Sequence, residues 1–186
     1  MIILDGGLGR ELKAMGAPFR QPEWSALALM EGPDFVRAAH DAFIEAGADI
    51  ITTNSYSIVP FHIGEMAFRS RAGELLDLAG QLAKSAANAS PCAVQVAGGV
   101  PPMFGSYQPD KFDAGRASEM MALFRQHLTP YVDFFMAETH GSIAEAQCFL
   151  NAFADCGKPI WLSLTLEDAE PVAGQSMLRS GELLAD

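Results

Sequence analysis

Positive charge is what this sequence lacks most: 12 Lys and Arg stand against 23 Asp and Glu, a formal net charge of −11. Such a chain has no general attraction for a phosphate backbone or an anionic lipid surface. Nucleic-acid binding and peripheral membrane attachment are therefore set aside. Cysteine is scarce as well. Three widely separated cysteines, an odd number, build no disulfide framework. No apolar run approaches the roughly 18 residues of a membrane span. The opening MIILDGGLGRELK has neither a basic stretch nor a long apolar segment, so no signal peptide is read there. No His-x-x-x-His or Cys-x-x-Cys pair offers a local metal motif. What remains is a soluble, cytoplasmic, globular chain. Its 186 residues, 49% hydrophobic and 19% charged, suffice for one well-buried core but not for two full-sized domains.

Short apolar runs alternate with longer amphipathic stretches. The runs are Ile2-Ile3-Leu4, Asp49 to Thr53, Ala93 to Ala97, Val132 to Ala137 and Ile160 to Thr165. Most are apolar on both faces, as buried parallel strands are. Between them lie helical patterns. One starts at Pro33 and stops at Gly47. A second spans Glu65 to Ala89. A third runs from Ala117 to Leu128, before Pro130. A fourth opens on Ser142 as N-cap, with Glu145 three residues on as a capping box, and stops at Gly157. Its buried side is expected to comprise Ile143, Ala146, Cys148, Phe149, Leu150 and Phe153. Ser180 is expected to cap one more helix. The alternation implies α/β architecture with a parallel sheet and helical crossovers. Gly6-Gly7-Leu8-Gly9 does not match G-x-G-x-x-G, which argues against a dinucleotide-binding fold. A (β/α)8 TIM-type barrel fits the unit better, but eight units need about 250 residues. The expectation is therefore an incomplete barrel of five βα units with the last three missing. Residues 1–186 would be the N-terminal part of a single barrel domain.

In parallel α/β folds ligands bind at the C-terminal ends of the strands. Here those ends carry Asp5-Gly6-Gly7, Asn54-Ser55-Tyr56, Gly98-Gly99, Glu138-Thr139-His140 and Ser163. Carboxylates at Asp5 and Glu138 suit an ammonium group, and hydroxyls and amides suit a carboxylate. Each residue has a plainer role open to it. Asp5 could cap a turn, Gly6 and Gly7 could be turn glycines, and Asn54 and Tyr56 could satisfy loop backbone. An unpaired buried carboxylate at Glu138 would be costly, which favours a ligand contact. His140 is read as a cap for the next helix, and His40, His62 and His127 as structural or exposed. Trp24 and the methionines are read as core. Cys92, Cys148 and Cys156 are read as packing residues, since none lies at the C-terminal end of a strand. The apolar stretch Val59 to Gly64 is either a substrate lid or a packed loop.

With these residues in view, the chain resembles the homocysteine S-methyltransferase family. The similarity includes the homocysteine-binding barrels of cobalamin-dependent methionine synthase and betaine–homocysteine methyltransferase. LDGGLGRELKAMG resembles the family's first-strand signature. QPEWSALAL and PDFVRAAHDAFIEAGADIITTNSYS resemble its Trp-Ser pair and second strand. DFFMAETHGSIAEA and PIWLSLTL resemble its fourth and fifth strands. The third strand departs from the pattern: Gly99-Val100-Pro101-Pro102 stands where the family shows Ser-x-Gly-Pro.

The resemblance implies a (β/α)8 barrel that transfers a methyl group to the homocysteine thiol to form methionine. The donor would be a small molecule: S-methylmethionine, S-adenosylmethionine, betaine or a folate. It also implies zinc held by three cysteine thiolates, which lowers the thiol's pKa. Asp5 and Glu138, with Gly6 and Gly7 beside them, would bind the amino-acid part of homocysteine. Asn54, Tyr56 and Thr139 would complete that pocket. The family's zinc cysteines follow its sixth and eighth strands, and Cys92, Cys148 and Cys156 do not match them. The expectation is that this chain carries no metal ligand and no catalytic residue, binds no zinc and is inactive alone. Two other readings stand beside this one. The first is a non-catalytic partial-barrel module that self-associates through its open edge. The second is a different barrel enzyme using Asp5 and Glu138 as an acid–base pair.

Overall fold

The computed structural model describes residues 1–166 and 175–185. Its centre is a four-stranded parallel sheet in sequential order: β1 (Ile50–Thr52), β2 (Gln95–Val100), β3 (Phe134–His140) and β4 (Ile160–Leu164). This is the strand order of a barrel wall; a doubly wound sheet would reverse direction. The helices are α1 (Leu8–Ala14), α2 (Ser25–Glu31), α3 (Pro33–Glu45), α4 (Pro60–Ile63), α5 (Glu65–Ala89), α6 (Ala114–Leu128) and α7 (Ile143–Phe153). Consecutive long helices pack on one another, α3 on α5, α5 on α6 and α6 on α7.

Side-chain alternation sorts the strands into two faces. Ile51, Val96, Val100, Phe135 and Ala137 join the main core together with Leu75, Leu76, Phe124, Phe149 and Phe153 from the helices. Ile50, Ala97, Phe134 and Met136 form a second, smaller cluster. The sheet therefore has a helix-covered outer face and an inner face that leads to the strand ends.

Local signals explain most boundaries. Pro33 occupies the first turn of α3. Asp113 caps α6 by accepting from the Arg116 N–H at 3.0 Å. Ser142 caps α7 by accepting from the Glu145 N–H at 3.1 Å. The Glu145 carboxylate accepts from the Gly141 N–H at 2.7 Å, one residue before the position a capping box uses.

Four expectations need correction. The run Ile2-Ile3-Leu4 forms no strand of its own; it makes a parallel bridge, Leu4 to Ile50, and is exposed. Among the described residues it is laddered on one side only. Ser180 caps no helix, because the segment forms an antiparallel ribbon, β5 (Gln175–Met177) with β6 (Leu183–Ala185), turning at Gly181 with φ +84°. Ile143 is exposed and lies off the buried side of α7. Cys92 is exposed in the turn before β2 and packs into no core.

Two imidazoles are fully buried, His40 on α3 and His140 at the end of β3, and among the described residues neither has a well-formed hydrogen bond to either nitrogen. Burial pushes both down to about 4; at His140 the nearby backbone of Val100, Glu145 and Pro101 opposes the shift without cancelling it. A base depressed in the folded state gives stability above its ordinary pKa of about 6.5 that is lost as pH falls toward 4. Replacing His40 with Leu removes one such group. The thermal midpoint of His40→Leu should fall less between pH 7.5 and pH 5 than that of the unaltered chain. Equal slopes would show that His40 does not titrate in this way.

Candidate functional site

A cavity of about 730 Å³ opens at the C-terminal ends of the strands. Its walls include Asp5, Gly6, Gly7, Asn54, Tyr56, Glu138 and Thr139, so these strand-end residues meet in one place. His140 does not line it; its ring packs edge-on against Phe149 of α7, 5.8 Å between centres.

The arrangement of β3 depends on a shift in register. Ala137 pairs with Leu162 and His140 with Leu164, so three steps on β3 match two on β4. This is a β-bulge, and Thr139 within it has φ +64°. A regular strand would alternate sides at each residue. The extra residue lets Glu138 and Thr139 both border the cavity while His140 turns to the helices.

The two carboxyl groups are held differently. The Asp5 carboxylate accepts from the Thr52 N–H at 2.7 Å and from its hydroxyl at 3.1 Å. Burial pushes Asp5 up to about 6, against the lowering effect of those hydrogen bonds. Among the described residues Glu138 has no hydrogen-bond partner. Burial, with the charge of Asp5 added, pushes Glu138 up to about 7. Its carboxyl lies over Gly99, where a Cβ would overlap Glu138 Oε2 and stand 3.0 Å from Thr52 Cγ2. The absence of a side chain at Gly99 is what makes room for the acid. Among the described residues no Lys or Arg lines the cavity.

The segment after β1 ties the walls together. Ser55 donates to the Gly99 carbonyl at 2.6 Å, and Thr53 Oγ1 accepts from the Gly99 N–H at 3.1 Å. Asn54 is buried and donates to the Ser25 carbonyl at 3.0 Å, so its amide nitrogen is engaged in the wall. The Tyr56 hydroxyl lies 2.7 Å from Ser106 Oγ, and burial raises its pKa.

Further residues line the cavity beyond the strand ends, and the stretch Val59 to Gly64 forms the short helix α4 on its wall. Trp24 is not core: it is 41% exposed, lines the cavity and has φ +49°. His62 and Phe61 of α4 also line it, and His62 Nδ1 meets the Pro22 carbonyl at 2.7 Å. Ser106, Tyr107 and Gln108 come from the loop after β2. Among the described residues three non-glycines have positive φ, Trp24, Tyr107 and Thr139, and all border this cavity. Strained backbone of that kind gathers at ligand sites.

The cysteines do not fit a thiolate metal centre at this cavity. Cys92 is exposed before β2, Cys148 Sγ faces the Ala114 carbonyl at 3.8 Å, and Cys156 Sγ faces the Lys158 carbonyl at 3.4 Å. Among the described residues no group of three or more His, Cys, Asp or Glu side chains is arranged to hold a metal ion. No described helix is long and apolar enough to cross a membrane.

Comparison with known proteins gives a consistent result. The family model described as homocysteine S-methyltransferase matches residues 2–186. Homocysteine S-methyltransferase 3 of Zea mays is 30% identical over 202 residues, covering 95% of this chain and 60% of that protein. Homocysteine S-methyltransferase of Escherichia coli K12 is 26% identical, covering 96% and 63%. The crystal structure of the Escherichia coli homocysteine methyltransferase MmuM in its metallated form matches with a TM-score of 0.77 at 25% identity, covering 97% of this chain and 66% of that one. Its oxidized form matches with a TM-score of 0.81 at 25% identity. The chain thus spans less than two thirds of the length of these relatives.

The raised carboxyls set a stability trend. An acid whose folded pKa is raised gives stability below its ordinary pKa that is lost as pH rises through the folded value. For Glu138 that window runs from 4.5 to about 7. Glu138→Gln should therefore be more stable than the unaltered chain at pH 8, by about 3 kcal/mol. Chemical denaturation at pH 5 and pH 8 measures it. A gap that does not widen with pH would show that Glu138 carries no such penalty.

Proposed function

The chain belongs to the homocysteine S-methyltransferase family, and on that premise we propose that its cavity holds the amino-acid part of homocysteine for methyl transfer to the thiol, giving methionine. The observation that carries this reading is the pair of half-buried carboxyls on a cavity where, among the described residues, no Lys or Arg stands and one of the two acids has no hydrogen-bond partner. Such a site selects an ammonium group. The ammonium supplies the missing counter-charge and draws Asp5 and Glu138 into their ionised forms. Hydroxyls from Ser57 and Ser106 border the same space and can receive a carboxylate.

Zinc would supply the thiolate in an intact family enzyme. The three cysteines of this chain do not fit that role, and no step here is derived through a metal. A polypeptide of these 186 residues is expected to bind the amino-acid part weakly and to transfer no methyl group.

Calorimetric titration with L-homocysteine tests the reading. Affinity should rise from pH 5 to pH 8 as the carboxyls ionise. Glu138→Ala should weaken binding by about 2 to 5 kcal/mol while its fold, followed by circular dichroism, is retained. Unchanged affinity in that variant would remove Glu138 from the site.

One observation favours a second reading, an assembly module. Ile2, Ile3 and Leu4 at one edge of the sheet, and Trp161, Leu162 and Leu166 at the other, are exposed. Exposed apolar surface at a sheet edge favours association. Sedimentation velocity across a concentration series should show a reversible dimer if this reading holds. A monomer at every concentration would exclude it.

A further inference from the structure

The turn of the C-terminal ribbon is bonded to the backbone just after β3 and β4. Arg179 donates its backbone N–H to the Thr165 carbonyl at 3.1 Å, and the Ser180 N–H donates to the Gly141 carbonyl at 2.9 Å. The Glu182 carboxylate accepts from the Ile143 N–H at 2.8 Å, at the start of α7, and from the Ser180 hydroxyl at 2.6 Å. Leu178, beside Arg179, is fully buried. The turn is thereby fixed to the residues that follow the β3 bulge.

From this anchorage Arg179 reaches the other wall. Its guanidinium carbon lies 5.7 Å from the centre of the Tyr107 ring. Tyr107 lines the cavity and holds φ +64°, a conformation that a non-glycine residue keeps only when its surroundings impose it. The neighbouring Ser106 meets the Tyr56 hydroxyl. Gly141 is confined between the two parts: a Cβ there would stand 3.2 Å from Arg179 Cβ and 3.6 Å from Pro109 Cδ. The ribbon turn, the end of β3 and the loop after β2 are therefore packed as one unit.

We propose that Arg179 is a positioning residue, holding Tyr107 and its loop in place as one wall of the amino-acid pocket. The effect on ligand affinity rests on the function proposed above; the effect on the loop does not. Arg179→Ala removes the cation from the ring, and Arg179→Lys keeps a cation within reach. An exposed cation–π contact corresponds to about a two- to fivefold change in an equilibrium.

Amide hydrogen exchange across residues 104–112 and L-homocysteine titration, both on the full chain, test the proposal. Arg179→Ala should speed exchange in that loop and weaken binding, each about two- to fivefold, and Arg179→Lys should restore both. In a Tyr107→Ala background, Arg179→Ala should add nothing further to exchange. Unchanged exchange in Arg179→Ala, an additional effect in the Tyr107→Ala background, or failure of Arg179→Lys to restore exchange would overturn the contact. Faster exchange with unchanged affinity would overturn the positioning role. An unaltered chain that binds no L-homocysteine would instead overturn the proposed function, and exchange alone would then decide whether Arg179 holds the loop.

Discussion

The left-handed turn of Thr139 is the constraint on which the cavity depends. Without the extra residue between Ala137 and His140, the strand would place Glu138 and Thr139 on opposite sides of the sheet. His140 would then face inward, and its buried contact with Phe149 would be lost. A β-branched residue at positive φ is costly in isolation. It is held here by pairing on both sides of the bulge and by the capping of α7 immediately after it. Ser142 and Glu145 bind backbone N–H groups at this junction, so helix initiation and site geometry share the same few residues.

Gly99 completes that constraint from the neighbouring strand. Its lack of a side chain gives the Glu138 carboxyl its place, and its backbone is bound on both sides by Thr53 and Ser55. Asp5 is anchored to Thr52 in turn. Three strand ends thus hold two acids near one another in a partly desolvated space. Among the described residues neither acid has a Lys or Arg opposite it in the cavity. Burial raises both pKa values toward neutrality, so the charge of the site responds to pH and to any cation that enters.

Much of this is legible in the sequence where a local rule governs. The limits of α5, Glu65 to Ala89, follow from its apolar period, and Ser142 announces α7 through its capping chemistry. The inward acids can be placed because they follow apolar runs. The bulge cannot, since a shift of one residue leaves no mark on a run that is apolar on both faces. Trp24, Ser106 and Tyr107 reach the cavity from loops, and loops carry no periodicity to show where they fold back. Ser180 resembles a helix cap, which is why its segment suggests a helix rather than the ribbon it forms. In the structure its hydroxyl meets Glu182, and the turn closes on Gly181.

The division between the sheet's faces also explains why the cysteines stand apart from the acids. Cys148 belongs to α7 and Cys156 to the turn after it, both on the helical side, while Cys92 precedes β2 at the opposite end from the cavity. Strand direction fixes that separation, because residues before a parallel strand and residues after it lie at opposite ends of the sheet. The two acids and the three cysteines are therefore separated in space: the cavity opens at the C-terminal ends of the strands, and the thiols lie before β2 or on the helical side.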